Sequence, residues 1–594
     1  MKSGIHVLAL ALILTTFVQA ADPTAAPPPA PSIDLMSDTW AATDALGRAL
    51  PGPEECGPPK PGKTVGIFYF TWLGAHGRDV YDITKILAAN PTQPRYGPLQ
   101  AFHWWGEPLF GYYLSDDESV IRKHAQMLTD AGIDTLILDV TNAYTYEETV
   151  LAVCRVFDNI RRTGQTTPQI AFITHTSGAK TVQSLYDRFY SKNLYPHLWF
   201  RWQGKPLILA AENDVPPAIR DFFTVRESWA WSDPKGWFGD GKNKWTWVDH
   251  YPQKAGWHES PDKPEEVSVC LAQHPTSNIG RSFHDGKQPP PGQTAPEKGL
   301  CFAEQWKRAL EVNPAFVFIT GWNEWVAQRF ESGGGQIFVG RPLEKGGTFF
   351  VDQYSQEFSR DAEPMKGGHG DNYYYQMVAN IRRFKGVRPA PVLTPRPITI
   401  DGRFDDWRTV EPEYRDTLGD PVRRNNPGWK GGGPYVNATG RNDILAAKVS
   451  YDPSSVYFYV RTREPLTPAT DPNWMLLFIN SDGNAGTGWL GYDYVIGRGP
   501  AKAQTTTLHG HLGKGYQWGF PAEVQYRVAS NEMELAVPRA ALGMASLPNF
   551  MDFKWADNIQ QTGDATDFTL NGDAAPNDRF NYRVRFTTAP AGVR

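Results

Sequence analysis

At 594 residues, the chain exceeds what one hydrophobic core sustains, roughly 250–300 residues, so at least two domains are expected. Apolar residues at 41% and charged residues at 21% exclude a largely disordered protein, and a net charge of −5 excludes a strongly basic nucleic-acid binder. Aromatic residues at 13%, 21 of them Trp, make carbohydrate an early candidate ligand, because flat rings stack on the apolar faces of sugars.

Residues 1–20 (MKSGIHVLALALILTTFVQA) read as a secretory signal: a positive start, a short apolar run and a small-residue cleavage site. The run is short for a membrane span, and no later stretch approaches ~18 apolar residues. The expected mature protein is secreted or periplasmic, monomeric, and neither membrane-inserted nor bound to nucleic acid. Residues 21–62, rich in Pro and Ala, read as an extended leader on the first domain. From 65 onward short β-branched and aromatic runs alternate with helical stretches. Strands are predicted at 65–72, 134–140, 169–175, 206–212 and 315–320, with weaker ones at 222–231, 245–249 and 266–270. Ser115 and Glu118 form a capping box for a helix whose face is Val120, His124, Met127, Leu128 and Ala131, ended by Gly132. A helix over 372–385 would close the domain.

Near-continuous apolar strands between helices imply a parallel sheet covered on both faces. Eight of them over 63–385 fit a (β/α)8 TIM barrel. The alternative is an open doubly wound sheet, weakened because no glycine-rich phosphate fingerprint follows the first strand. Residues 386–397 (GVRPAPVLTPRP) read as a linker with few cross-contacts. Over 398–594 the period becomes two, with strands at 398–400, 443–450, 456–461, 475–480, 492–496, 533–537 and 582–586, which predicts an antiparallel β-sandwich. Of four cysteines, Cys270 and Cys301 make the expected disulfide and Cys154 a buried thiol.

Active sites of such barrels lie at the C-terminal ends of the strands. Those ends carry Trp72, Asp139, His175, Glu212, Asp249, His250, Trp322, Asn323, Glu324 and Trp325. Carboxylates interleaved with Trp and His suit glycosidic cleavage, in which one carboxylic acid protonates the leaving oxygen and a second carboxylate acts as base or nucleophile. Each strand-end carboxylate also reads as a helix cap or ion-pair partner, and Asp139 in DVTN has that alternative most plainly. Trp104 and Trp105 either line the sugar pocket or pack beneath the rim, and Tyr112 completes the expected substrate contacts.

Two segments, PLFGYYLSDDESVIRKHAQMLTDAGID (108–134) and FVFITGWNEWVAQ (316–328), resemble glycoside hydrolase families 71 and 99. The resemblance implies a (β/α)8 hydrolase of α-glycans, with Glu324 matching the family-99 carboxylate that deprotonates a sugar 2-hydroxyl. The family's acid three residues later is Ala327 here. Asp139 is the first substitute for it, with Glu212, Asp249 and Glu331 behind. In the C-terminal region, ITIDGRFDDW (398–407) and NSDGNAGTGW (480–489) resemble a family 9-type carbohydrate-binding module. That resemblance implies a sugar platform of Trp429, Trp489 and Trp518, and a structural calcium to which Asp482 and Asn484 contribute. No other cofactor is expected. The resulting reading is a secreted glycoside hydrolase of a polysaccharide or glycan. The alternative is a non-catalytic glycan-binding protein that has lost its second carboxylate at Ala327.

Overall fold

The computed structural model describes residues 33–587 except 78, 235 and 500; the expected signal at 1–20 lies outside them. Eight parallel strands form the first unit: β1 (Thr64–Tyr69), β2 (Thr135–Val140), β3 (Gln169–Thr174), β4 (Lys205–Leu209), β5 (Thr224–Ala230), β6 (Lys244–Val248), β7 (Pro264–Cys270) and β8 (Phe316–Thr320). Their hydrogen-bonded order is β6-β5-β4-β3-β2-β1-β8-β7. The remaining gap, between β6 and β7, is bridged by side chains. Thr246 N donates to Glu266 Oε2 at 2.9 Å, and Thr246 Oγ1 lies 2.8 Å from Ser268 Oγ. The barrel is thus nearly closed. The expected barrel strands appear within a few residues of the predicted positions.

Helix α1 (Glu118–Asp130) follows β1 and buries Val120, Ile121, His124, Met127 and Leu128, the face its periodicity predicted. Burying each large apolar side chain contributes roughly 1.5–3 kcal/mol, and Leu128→Ala would cost about 2–5 kcal/mol. The cap differs from the capping-box expectation: Asp117 accepts from Ser119 N, while Ser115 Oγ takes the N–H of Leu73 at 2.8 Å. The three polar residues Ser115, Asp116 and Asp117 all precede the helix, and the tertiary contact of Ser115 decides which one caps. Helix α2 (Glu147–Arg162) carries the buried Cys154. Helix α3 (Leu300–Val312) follows β7, and α4 (Asn372–Lys385) closes the unit as predicted. Gly386 ends α4 at φ +76, where a Cβ would meet Pro58 O at 2.0 Å. The leader therefore runs directly over the helix terminus.

The second unit is one curled sheet folded over itself. Its order is Val392–Leu393, Tyr582–Phe586, Phe550–Asp557, Leu476–Asn480, Tyr494–Ile496, Thr505–His511, Trp518–Ala529, Glu532–Pro538, Ser455–Thr462, Ile444–Tyr451 and Tyr414–Arg415. All neighbours are antiparallel except the first pair. Five of these strands escape the sequence pattern: two are only two residues long, Val392–Leu393 and Tyr414–Arg415, and three are longer. Thr505–His511 is polar, Trp518–Ala529 is mostly exposed, and in Phe550–Asp557 the polar positions are buried too. The predicted strand at 398–400 is irregular backbone.

Two expectations are corrected. The linker does not leave the two units with few cross-contacts, because barrel and sandwich share one apolar core that also takes in the leader. Trp429 donates from its backbone N–H to Tyr112 O at 2.7 Å and packs edge-on to Trp104; Arg424 pairs with Asp117 at 2.8 Å. Trp40 of the leader is buried against Phe580 and Tyr582. A composition-based linker reading sees only residues 386–397, not the loops at 414–437 that make the seam. The second correction is that Cys270 and Cys301 are free, buried thiols. They are neighbours in space, at the end of β7 and the start of α3, and the hydrogen bond with Cys270, then burial, raises the Cys301 thiol. Among the described residues no helix is long and apolar enough to cross a membrane.

Candidate active site

A cleft of about 820 Å³ opens at the C-terminal ends of the barrel strands. Glu324 and Asp139 both line it, as do Trp72, Phe102, Trp229, Trp231 and Trp247. Glu324 stands four residues beyond β8 and is 7% exposed. Its Oε2 accepts from Arg360 Nη2 at 2.8 Å and from Gln353 Nε2 at 3.1 Å, and its backbone N–H donates to Asp361 Oδ1 at 2.6 Å. Burial is the largest influence on this carboxyl and pushes its pKa up to about 8. Arg360 opposes the rise, while Asp352, Asp361 and Asp139 add to it. Burial thus favours the protonated form of Glu324, and the Arg360 contact favours the charged one.

Asp139 is the penultimate residue of β2. Its Oδ2 accepts from Trp72 Nε1 at 2.9 Å, and its Oδ1 accepts from Thr141 N and Oγ1 at 3.0 and 2.7 Å. Burial raises its pKa, and the Thr141 and Trp72 donors oppose that rise. The bond to Thr141 resembles a cap. The Trp72 donor comes from a different strand end, and it fixes the carboxylate against the cleft wall. Trp72 is itself held by Phe70, Phe102 and Tyr146.

The floor and rim draw on one segment that sequence reasoning missed, 351–363 beyond the rim strand Thr348–Phe350. It supplies Gln353, Arg360 and Asp361 around Glu324. It also places Asp352 in the cleft, at φ +68 and half exposed. Arg360 Nη2 reaches both carboxylates, at 2.8 Å from Glu324 and 4.0 Å from Asp352. The signal was there as a dense set of charged residues in an irregular stretch after the last barrel strand, but strand-end reading does not reach it.

Several expected contacts lie elsewhere. Trp322, Trp325, Trp104 and Trp105 are completely buried. Trp105 stacks on Trp325 at 4.2 Å between centroids and donates from Nε1 to Glu324 O at 3.2 Å. These rings pack behind the cleft wall and hold the loop, not a sugar. Asn323 is buried as well, with Oδ1 accepting from Phe70 N at 2.8 Å. Tyr112 donates to Asp82 Oδ2 at 2.7 Å beneath the seam. Asp249 spends its oxygens on Ser232 and on the N–H groups of His250 and Lys254, bracing a loop. Glu212 is exposed at the start of a short 3-10 helix outside the cleft. His175 stacks on Trp229 at 3.5 Å, and His250 lies 6.1 Å from Trp231. Both therefore back cleft aromatics without lining the cleft. Ala327 does line it.

The motif at 108–134 meets the one at 316–328 through a buried relay. Glu363 accepts from Tyr113 Oη at 2.7 Å and from Trp325 Nε1, and it pairs with His124 Nε2 at 3.0 Å. In the C-terminal unit Trp429 is buried in the seam, and Trp489 and Trp518 belong to a small aromatic cluster with Phe478 and Phe568.

No family model and no curated protein matches the chain. Among solved structures it is similar to the GH99 endo-alpha-mannosidase from Bacteroides thetaiotaomicron, at 15% identity over 55% of this chain and 98% of that one, TM-score 0.32. A glycoside hydrolase-like protein matches at 13% identity over 57% of this chain and 100% of the other, TM-score 0.32. The C-terminal region is similar to a carbohydrate binding module family 9 from Caldicellulosiruptor kristjanssonii in complex with glucose, at 9% identity over 34% of this chain and 98% of that module, TM-score 0.17.

Proposed function

We propose that the protein is an exported glycoside hydrolase acting on a polysaccharide or glycan, with Glu324 and Asp139 as its catalytic pair. The observation that carries this reading is the shared cleft. A buried carboxyl whose pKa burial raises and a second hydrogen-bonded carboxylate face one cavity walled by aromatic rings. A carboxyl raised to about 8 is a proton donor at neutral pH, the state needed to protonate a departing glycosidic oxygen. We therefore assign Glu324 the general acid, not the base that family resemblance implies. Asp139 is the second carboxylate of the pair, acting as base or nucleophile on the sugar's other side, and Asp352 adds negative charge at the open rim. Trp72, Trp229, Trp231 and Trp247 offer flat surfaces for pyranose rings.

Glu324→Gln keeps the shape and removes the transferable proton. Turnover should fall by ~10²–10⁴-fold, with ligand affinity little changed. Equal turnover in the variant and the wild type would remove the assignment. A second reading rests on Ala327, which lines the cleft where a carboxylate is expected: a glycan-binding protein without turnover. Binding of glycans from a broad panel, with no sugar released from any, would favour it.

A further inference from the structure

The sandwich meets helix α1 of the barrel over a turn, Asp416-Thr417-Leu418-Gly419-Asp420, that follows the strand Tyr414–Arg415. Asp573 begins the short strand Asp573–Ala575 beside it. One carboxylate oxygen from each of Asp416, Asp420 and Asp573 lies within 4.8 Å of the other two, and all three residues are buried, at 3, 2 and 2% exposure. Both oxygens of Asp416 and Oδ1 of Asp420 have no hydrogen-bond partner. The other oxygen of Asp420 accepts from Gln126 Nε2 at 3.1 Å and faces Lys123 Nζ at 3.6 Å. Asp573 accepts from the backbone of Ile444 at 2.6 Å and of Ala574 at 2.8 Å.

Charge around this point does not balance. Asp130 and Asp578 are buried close by, and Asp578 Oδ2 also lacks a donor. Against six carboxyl groups, Asp443 included, stand three cations, Lys123, Lys554 and Arg122, and Lys554 donates to Pro576 O. A buried carboxylate with neither donor nor counter-charge is among the costliest groups a fold can hold.

We propose that Asp416, Asp420 and Asp573 bind a divalent calcium ion in the seam between sandwich and barrel. The donor set is all oxygen, which selects a hard cation over zinc or copper. Calcium holds its oxygens at ~2.3–2.6 Å, so opposite ligands stand up to about 5 Å apart; magnesium allows about 4 Å. The three oxygens lie within 4.8 Å of one another, inside the span of a calcium shell. Because Gln126 and Lys123 of α1 dock on the same turn, the ion would set the shape of the surface on which the barrel rests. The exposed loop at 482–487 is different: Asp482 already accepts from Asn484 N at 2.8 Å and from Thr487 Oγ1.

The test uses the full-length protein, stripped with chelator and returned to calcium chloride. One calcium per chain should remain after desalting, by elemental analysis. Tm should rise by about 3–10 °C, with sodium chloride of equal ionic strength ineffective and magnesium weaker. Asp416→Asn should abolish both responses, yet in chelator melt no lower than stripped wild type, since it removes an unmatched charge. Asp482→Asn should keep both. No retained calcium together with an unchanged Tm in wild type would overturn the proposal, even if no variant folds. So would full calcium retention in Asp416→Asn, or loss of calcium in Asp482→Asn instead.

Discussion

The mouth of the barrel and its seam with the sandwich are built from the same residue types, aspartates, glutamates and tryptophans, and use them in opposite ways. At the mouth each carboxylate is gripped on one side by donors, Arg360 and Gln353 for Glu324, Trp72 and Thr141 for Asp139, and left facing the cleft on the other. At the seam the carboxylates are sealed from solvent, and Asp416 has no donor at all. Tryptophans divide likewise: Trp72 and Trp247 line the cavity, Trp104 and Trp429 cement the domains. Burial with donors prepares a group for proton transfer, whereas burial without them calls for an added charge.

The largest expected effect comes from removing the seam. A chain ending at Lys385 would expose Trp104, Tyr374 and Tyr375, which now meet Trp429 and Phe580. It should aggregate, or lose near-ultraviolet circular dichroism, when the full chain is well folded. A monodisperse, active barrel would show that the sandwich is an accessory. Next is the proton carried by Glu324. As the acid, it supports turnover while protonated, so kcat should be flat below pH 8 and fall about tenfold per pH unit above it. A rise with pH through the same range would make it the base. A smaller change is expected for Trp72→Phe, which keeps the ring but removes the donor to Asp139 Oδ2. Turnover should drop about tenfold, the order of one hydrogen bond to a charged group. An unchanged rate would free Asp139 of its dependence on Trp72. Smallest is Asp352→Asn at the half-exposed rim, where water screens the charge: a few-fold loss in turnover and a slight downward move of the Glu324 limb. An upward move would contradict the like-charge contact between the two.

Five barrel strands were legible as short apolar runs bounded by turn residues, the other three only weakly because polar residues interrupt them, and α1 and α4 announced themselves by their faces. The sandwich was legible where apolar residues alternate with polar ones or run together, as in Leu476–Asn480, which is buried throughout. Trp518–Ala529, exposed along most of its length, carries no such contrast. Within the site, Glu324, Asp139 and Trp72 could be read from strand ends. Trp322 and Trp325 were misleading, because the rings that flank a carboxylate in sequence project to the opposite side of the loop and pack on His124 and Trp105. Gln353, Arg360 and Asp352 were invisible to that reading, since a salt bridge across 36 positions leaves no periodic trace.

The leader has a consequence for the order in which the molecule can be completed. Ala41 and Asn581 exchange backbone hydrogen bonds at 2.9 and 2.7 Å, and Trp40 is inserted between Phe580 and Tyr582. These partners are 540 positions apart, from 41 to 581. At ~5–20 residues per second, synthesis separates them by roughly half a minute to two minutes. Throughout that interval Trp40 has no site to enter, and the barrel must hold together without its strap. Closing a loop of this length is among the slowest kinds of contact a chain makes. Docking of the leader therefore waits for residues 580–582, and a chaperone that shields residues 33–50 would keep Trp40 from its site.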